Sequence, residues 1–318
     1  MKAHMKILQV VPAPNTAITT LAKQIIRHNP DVEFRLCTFH PKRPDKHEIR
    51  EIEKHWMSSD LIDVQYWKSG AKIREMFPQY WPKKKKILTH YNPYNLHEEK
   101  WNDYLVKIVV NSFQQAKLPE ARMVPLSIDL DFFTFQNNYT QEPLVNMTVN
   151  RIEGKKGVIE IAQACKELNY KFVLVGRVSD GGYMQRIKNV GGNFEFLDGI
   201  SDEDLRKTYH RSALHVCNSV DNFESGTMPI LEAMSCGIPV MTRLVGHVPD
   251  IYSESDPNLH LYRGSCEDVP AIKESLQAIM GDFDKRVSLR MKAAETVKTR
   301  SDKVRAATYR TIYEEVTK

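Results

Sequence analysis

Short apolar runs of strand length alternate along the chain with longer stretches in which apolar positions recur every three or four residues. The first pattern is that of strands buried on both faces, the second that of helices lying on them. In the first half, Lys6–Val11, Glu33–Thr38, Leu61–Tyr66, Ile87–His90 and Lys107–Asn111 read as strands. Thr16–His28, Asp45–Trp56, Ile73–Trp81 and Glu98–Tyr104 read as the helices between them. A polar stretch over residues 134–143 interrupts the pattern in the way an interdomain linker does. Beyond it, strands Val145–Asn150, Lys171–Gly176, Asn193–Leu197, Leu214–Asn218 and Pro239–Arg243 alternate with helices Val158–Leu168 and Asp202–His210. From Pro270 the pattern is helical almost to Lys318. The expectation is an α/β chain with two parallel-sheet domains, residues 1–134 and 135–300, and a C-terminal helix, 301–318, able to pack back on the first. In such sheets ligands bind beyond the carboxyl ends of the strands, so the chemistry belongs in the loops that follow them.

Composition narrows the class. With 318 residues, 42% hydrophobic and 27% charged, the chain can build two cores, and disordered, collagenous and coiled-coil compositions are excluded. No apolar run approaches the ~20 residues of a bilayer-spanning helix; Phe172–Val175 is of strand length. Met1–His4 read as a cloning remnant, and Lys6–Val11 follows without an apolar leader. The five cysteines are scattered, with no Cys-x-x-Cys pair, which points to a reducing, cytoplasmic setting in which the sequons at Asn138 and Asn146 stay unmodified. The net charge of +5 is uneven, since residues 1–134 hold 21 Lys and Arg against 15 Asp and Glu.

Candidate chemistry concentrates in Asn222–Val240. Two carboxylates, Glu224 and Glu232, stand eight apart, with Ser225-Gly226-Thr227 opening a helix between them. Eight residues are a little over two turns, so Glu232 lies on the same helix face as the start, about 12 Å along, with one carboxylate at the loop and one inside the helix. The free N–H groups at the helix start suit a phosphate. An acidic helix start with a surface glutamate explains the same letters about equally well.

The run Glu224-x7-Glu232 followed by Ala-Met-Ser-Cys-Gly-Ile-Pro-Val resembles the signature of the retaining glycosyltransferases of family 4. Further segments are similar in order: Asn150-Arg151-Ile152-Glu153-Gly154-Lys155-Lys156-Gly157 to the diphosphate loop, Leu174-Val175-Gly176 to the strand before the nucleotide site, Gly199–Leu205 to the loop beside the base, and Val124–Phe133 to the segment ending the first domain. The likeness covers residues 107–251 well and the first hundred in outline. It implies a GT-B fold, two Rossmann-like domains facing a central cleft. It also implies transfer of a hexose from a nucleotide diphosphate sugar, a UDP-sugar such as UDP-glucose first, to a hydroxyl acceptor.

By the family pattern, Arg151 and Lys156 stabilise the charge left on the diphosphate, Glu224 binds donor-sugar hydroxyls and Glu232 the ribose. The backbone around Ser225, Gly226, Thr227 and Met228 meets the diphosphate, with Gly176 and Ile200 lining the donor site. Fixed cations suit the leaving diphosphate, arginine as a planar fork and lysine as a compact charge. His90, in Leu88-Thr89-His90-Tyr91-Asn92, is similar to a family histidine that touches sugar or acceptor; a strand-end histidine bonded to backbone is the bland alternative. The implied course is attack from the face the leaving group departs. Asp129-Leu130-Asp131 and Asp202-Glu203-Asp204 spell the Asp-x-Asp of metal-dependent transferases, but read as a domain end and a helix start, so no metal cofactor is expected. The chain departs from the pattern at Pro12–Ile18, which lacks a Gly-Gly loop, and at Asn150, Thr227 and Asp250.

For the acceptor, Ile73, Met76, Phe77, Tyr80 and Trp81 recur at helical spacing and run into Lys83–Lys86. A basic amphipathic helix suits an anionic lipid surface, and a basic patch with aromatics suits nucleic acid. The same letters also describe a helix packed on its sheet with a lysine-rich end in water. The reading leans to a polyanionic acceptor such as DNA with hydroxymethylated bases, with a lipid-linked or surface glycan as the alternative. A sugar-nucleotide hydrolase or epimerase, or a non-catalytic sugar-nucleotide-binding module, are the other classes. Oligomeric state is not readable.

Overall fold

The structure is a computed structural model and describes residues 5–92, 102–140, 142–220, 223–252, 260–261 and 264–318. The chain divides into two compact units: residues 1–127 with Arg300–Lys318, and Ile128–Thr299.

The first unit holds strands β1 (Lys6–Val11), β2 (Glu33–Thr38), β3 (Leu61–Val64), β4 (Lys85–His90), β5 (Val106–Val109) and β6 (Arg122–Met123). They form one parallel sheet in the order β2-β1-β3-β4-β5-β6. Helix α1 (Ala17–Arg27) starts where Thr16 accepts the Thr19 N–H, and α2 (Lys46–Trp56) starts at a reciprocal cap between Asp45 and Glu48. Helices α3 (Trp67–Met76) and α4 (Ser112–Lys117) complete the chain's first pass. The C-terminal helix α12 (Asp302–Thr317) belongs to this unit and buries Tyr309, Ile312, Tyr313 and Val316 against Ile7, Leu61 and Ile87. It also brings polar groups into the core. Asp63 accepts hydrogen bonds from Tyr313 at 2.5 Å and Gln65 at 2.8 Å, and Arg305 donates to the carbonyls of Val124 and Pro125 and to the hydroxyls of Tyr91 and Tyr309.

Two expectations for this unit fail. No helix spans Ile73–Trp81: α3 begins six residues earlier and ends at Met76, because Pro78 cannot continue it. Phe77 and Trp81 instead turn into the core with Trp56 and Tyr104. The lysine run is no α-helix end, and only Lys83 and Lys85 of it are exposed. Lys84 donates to the Ser59 carbonyl at 2.6 Å, and Lys86, 4% exposed in β4, donates to the Trp81 and Lys84 carbonyls at 2.7 and 2.8 Å. The amphipathic-helix argument for a membrane or nucleic-acid face therefore has no basis in this segment. Of the helix read over Glu98–Tyr104, the first four positions lie outside the described residues, and residues 102–104 are not helical.

The second unit holds β7 (Leu144–Ile152), β8 (Lys171–Val178), β9 (Phe194–Leu197), β10 (Leu214–Cys217), β11 (Val240–Thr242) and β12 (His260–Leu261). All pair in parallel, in the order β12-β11-β10-β7-β8-β9. The order reverses between β7 and β10, so the crevice beyond their carboxyl ends is the expected ligand position. Helices α5 (Val158–Glu167), α6 (Gly181–Val190), α7 (Asp202–His210), α8 (Met228–Ser235), α9 (Val248–Ile251), α10 (Val269–Met280) and α11 (Phe283–Val297) follow in chain order. The core lies between the sheet and α5, α6 and α10. Asn146, the second sequon, is buried in β7. The five cysteines are free and buried. Among the described residues, no helix is long and apolar enough to cross a membrane.

Candidate functional site

The loops after β7 and β10 meet at the point where strand order reverses. After β7 the chain makes a single 3-10 turn, Gly154–Lys156, and leaves it through Gly157 at φ +62°. A side chain at Gly157 would collide with Asn218, whose carbonyl lies 2.6 Å from the Cβ position. Glycine is thus required here by both backbone hand and space. Asn218 returns the contact, donating to the Gly157 carbonyl at 2.8 Å, and the Val220 N–H donates to the Lys155 carbonyl at 3.0 Å. Two loops far apart in sequence are thereby fixed against each other.

That junction places Lys156 on Glu224. The Lys156 ammonium and Glu224 Oε1 form a short ion pair, with side chains 11% and 13% exposed. Ser219 donates to the same oxygen at 2.7 Å. Lys155 and Lys156 both stand over the Phe223 ring, 5.0 Å from its centre. Glu224 Oε1 is thus held by two groups, while the ammonium has further N–H donors to offer an anion.

Glu224 stands at the loop and Glu232 inside the helix, as the spacing predicts. Helix α8 begins at Met228, so Glu224 lies in the preceding loop and Glu232 in the helix's second turn. Thr227 caps α8 with no side-chain bond; its Oγ1 is buried, has no partner, and the residue is 8% exposed. A buried hydroxyl without a partner at a helix start is an unmet polar group beside a positive dipole end. Ser225 and Gly226 form the loop before it. Gly246, after β11 at φ +56°, supports that loop from below, with its Cβ position 3.0 Å from the Ser225 carbonyl carbon and 3.2 Å from Glu224 Cβ.

Glu232 is partly buried, and Tyr209 donates to its Oε2 at 2.7 Å. Burial pushes the carboxyl up to about 7, against the lowering effect of the Tyr209 bond. Arg151 is a separate case: it is exposed at the end of β7, and among the described residues its ion pair is with Glu153 at 3.4 Å rather than with Glu224. In the sheet its register partner on β8 is Arg177, also exposed. Gly176 lies against the Val149 carbonyl, at the bulge where β7 shifts register between Thr148 and Arg151. Ile200, after Gly199, packs partly on Val173 and Val175.

His90 belongs to the first unit, at the end of β4. It is 1% exposed, its ring stacks on Trp67 at 6.4 Å, and burial lowers its pKa to about 4. It is a neutral imidazole at ordinary pH. Asp129 accepts the N–H groups of Asp131 and Phe132, and Asp202, Glu203 and Asp204 form the first turn of α7 behind its Ser201 cap. No cluster of three or more His, Cys, Asp or Glu able to hold a metal ion occurs among the described residues.

Sequence reading missed Ser219, Tyr209, Arg177 and Gly246. Arg177 directly follows Leu174-Val175-Gly176 and was open to the same motif argument. The other three act through tertiary contacts that no local pattern encodes.

The family model described as glycosyl transferases group 1 matches residues 131–296, just over half of the chain. No curated protein sequence matches significantly. Among solved structures, sucrose-phosphate synthase from Thermosynechococcus elongatus superposes with a TM-score of 0.79 at 17% identity, covering 98% of this chain and 99% of that one. A glycosyltransferase from Rickettsia africae gives 0.75 at 16% identity, covering 99% of both chains. HepE of Anabaena, in a complex with UDP-glucose, gives 0.73 at 15% identity, covering 98% of both.

Proposed function

The chain belongs to the glycosyl transferases group 1 family and has the GT-B fold, and from that premise we propose that it is a retaining, family 4 enzyme working without a metal ion. As a nucleotide-sugar glycosyltransferase it moves a hexose from a nucleotide diphosphate sugar to a hydroxyl. A UDP-sugar is the first donor to try, since HepE of similar fold is seen with UDP and with UDP-glucose.

The observation that carries this reading is the Lys156–Glu224 pair beside the unpartnered Thr227 hydroxyl, at the strand-order reversal of the second unit. A diphosphate at the start of α8 meets the helix dipole, the Thr227 hydroxyl and the remaining Lys156 donors. Glu224, with Oε1 held by Lys156 and Ser219, offers Oε2 to a sugar hydroxyl. Arg151 and Arg177 supply exposed positive charge at the ends of β7 and β8. As the bond from the sugar's anomeric carbon to phosphate oxygen breaks, a bond to the acceptor oxygen forms on the same face, and the departing phosphate oxygen takes the acceptor's proton. Fixed cations lower this barrier by stabilising the developing phosphate charge. His90, neutral and buried in the first unit, has no role as a charged acid in this scheme.

The acceptor is a hydroxyl compound, with polyanions still the first class to test on the excess charge of residues 1–134. Incubation with UDP-, GDP- and ADP-hexoses and hydroxymethylcytosine DNA, anionic lipid vesicles or glycans, followed by mass spectrometry, identifies donor and acceptor. Proton NMR of the product gives the anomeric configuration, expected to match the donor's, and chelator should leave the rate unchanged. Lys156→Ala and Glu224→Ala variants that transfer as fast as wild type would remove the site assignment. Product of inverted configuration would remove the retaining mechanism.

A further inference from the structure

We propose that Tyr209 is a positioning residue for the nucleotide ribose, acting through Glu232. The inference rests on the donor site described above and assigns it a residue from outside the signature segment.

Tyr209 lies near the end of α7 and is fully buried. Its ring is fixed by edge contacts with Phe133 at 6.3 Å and His215 at 5.7 Å. Its hydroxyl donates to Glu232 Oε2 at 2.7 Å. Burial keeps the phenol protonated, so it acts as a donor. His215 is likewise fixed, through Nδ1 and Asn146 Oδ1 at 2.9 Å. Glu232 therefore has one oxygen tied to a rigid group from another helix, while no protein group among the described residues occupies Oε1.

A glutamate side chain has three torsions to freeze, and an untethered carboxylate loses that freedom only when the ligand binds. With Oε2 held, the carboxyl plane is set in advance and Oε1 is presented to a vicinal diol. A purely structural role for Tyr209 predicts no dependence on what the ligand offers Glu232. A positioning role predicts that its effect disappears when the ribose hydroxyl is removed.

The experiment is calorimetric titration of wild type, Tyr209→Phe, Glu232→Gln and the double variant with UDP, GDP and ADP and with their 2′-deoxy counterparts. Phenylalanine keeps the ring contacts, and melting temperature checks that the variant is folded. For the nucleotide that binds wild type, Tyr209→Phe should weaken affinity about tenfold, the size of one hydrogen bond involving a charged group. For the 2′-deoxy nucleotide the loss should shrink to about twofold or less, and in the Glu232→Gln background it should vanish. Equal losses for ribo and deoxy ligands, or none for either, overturn the proposal and make Tyr209 a core residue. If wild type itself does not distinguish the two sugars and Glu232→Gln binds normally, the ribose assignment of Glu232 fails first, and the Tyr209 proposal falls with it. Should Tyr209→Phe not fold, 3-fluorotyrosine incorporated at position 209, which keeps the ring and makes its hydroxyl a stronger donor to Glu232, must raise the ribo-to-deoxy ratio, and an unchanged ratio overturns the proposal.

Discussion

Replacing Lys156 separates what the ion pair does for the fold from what it does for the reaction. Lys156→Met keeps most of the aliphatic stem but strands Glu224, whose side chain is 13% exposed and retains only the Ser219 hydroxyl on Oε1. Breaking a buried pair by removing one partner costs ~3–5 kcal/mol at full burial. With about an eighth of each side chain in water and one hydrogen bond surviving, about 2–3 kcal/mol is the reasonable share. For a unit the size of Ile128–Thr299 this lowers Tm by roughly 5–10 °C. Adding Glu224→Gln removes the stranded charge, so the double variant should regain most of that loss. Turnover should not return, because the cation facing the diphosphate is still missing. Differential scanning fluorimetry and a transfer assay on the same preparations read both quantities. A double variant that recovers activity together with stability would refute the reasoning, since the pair would then be structural alone. An unchanged Tm in Lys156→Met would refute the magnitude.

Other expectations follow from neighbouring groups. Glu232, raised to about 7, holds a proton in the folded state that the unfolded chain has released. Stability should fall as pH rises from the ordinary carboxyl value to about 7, and Glu232→Gln should flatten that slope in urea titrations run across pH. Binding of a UDP-sugar should tighten over the same rise, because the ionised carboxylate is the better acceptor for ribose hydroxyls; a flat profile argues against Glu232 as the ribose contact. His90, depressed to about 4, has the opposite sign: its contribution is present above its ordinary value and is lost as pH falls through about 4. The pH–rate profile should accordingly show no limb near pH 6.5 that His90→Gln removes. Gly246→Ala places a methyl group against the 224–226 loop at a left-handed backbone position. It should cost ~1–2 kcal/mol in stability and weaken donor affinity, measured by thermal melts and titration; normal affinity would show that the loop yields freely.

The alternation of apolar runs and helical periods was enough to read two parallel α/β sheets, since strands such as Phe172–Val175 are buried on both faces and leave continuous apolar letters. Helical periods starting at Thr16, Asp45 and Asp202 located helix starts to within a residue of Ala17, Lys46 and Asp202. The reading failed where the same letters serve two structures. Ile73, Phe77 and Trp81 are spaced for a helix, yet Pro78 breaks it and the aromatics fold into the core by another route. Lys84 and Lys86 look solvated in sequence but bond to carbonyls brought near by β4. Within the site, Lys156, Glu224, Thr227 and Glu232 come from compact motifs and were found as letters. Their arrangement was not: the pairing of Lys156 with Glu224 depends on Gly157 and Asn218 locking two loops 61 residues apart.

The central claim is a nucleotide diphosphate site organised by Lys156 and Glu224. Its most direct test is the melting temperature of wild type and Lys156→Met with UDP, GDP and ADP at saturating concentration. One nucleotide should raise the wild-type Tm by several degrees and leave Lys156→Met almost unmoved. No shift with any nucleotide, or equal shifts in both proteins, would contradict the account.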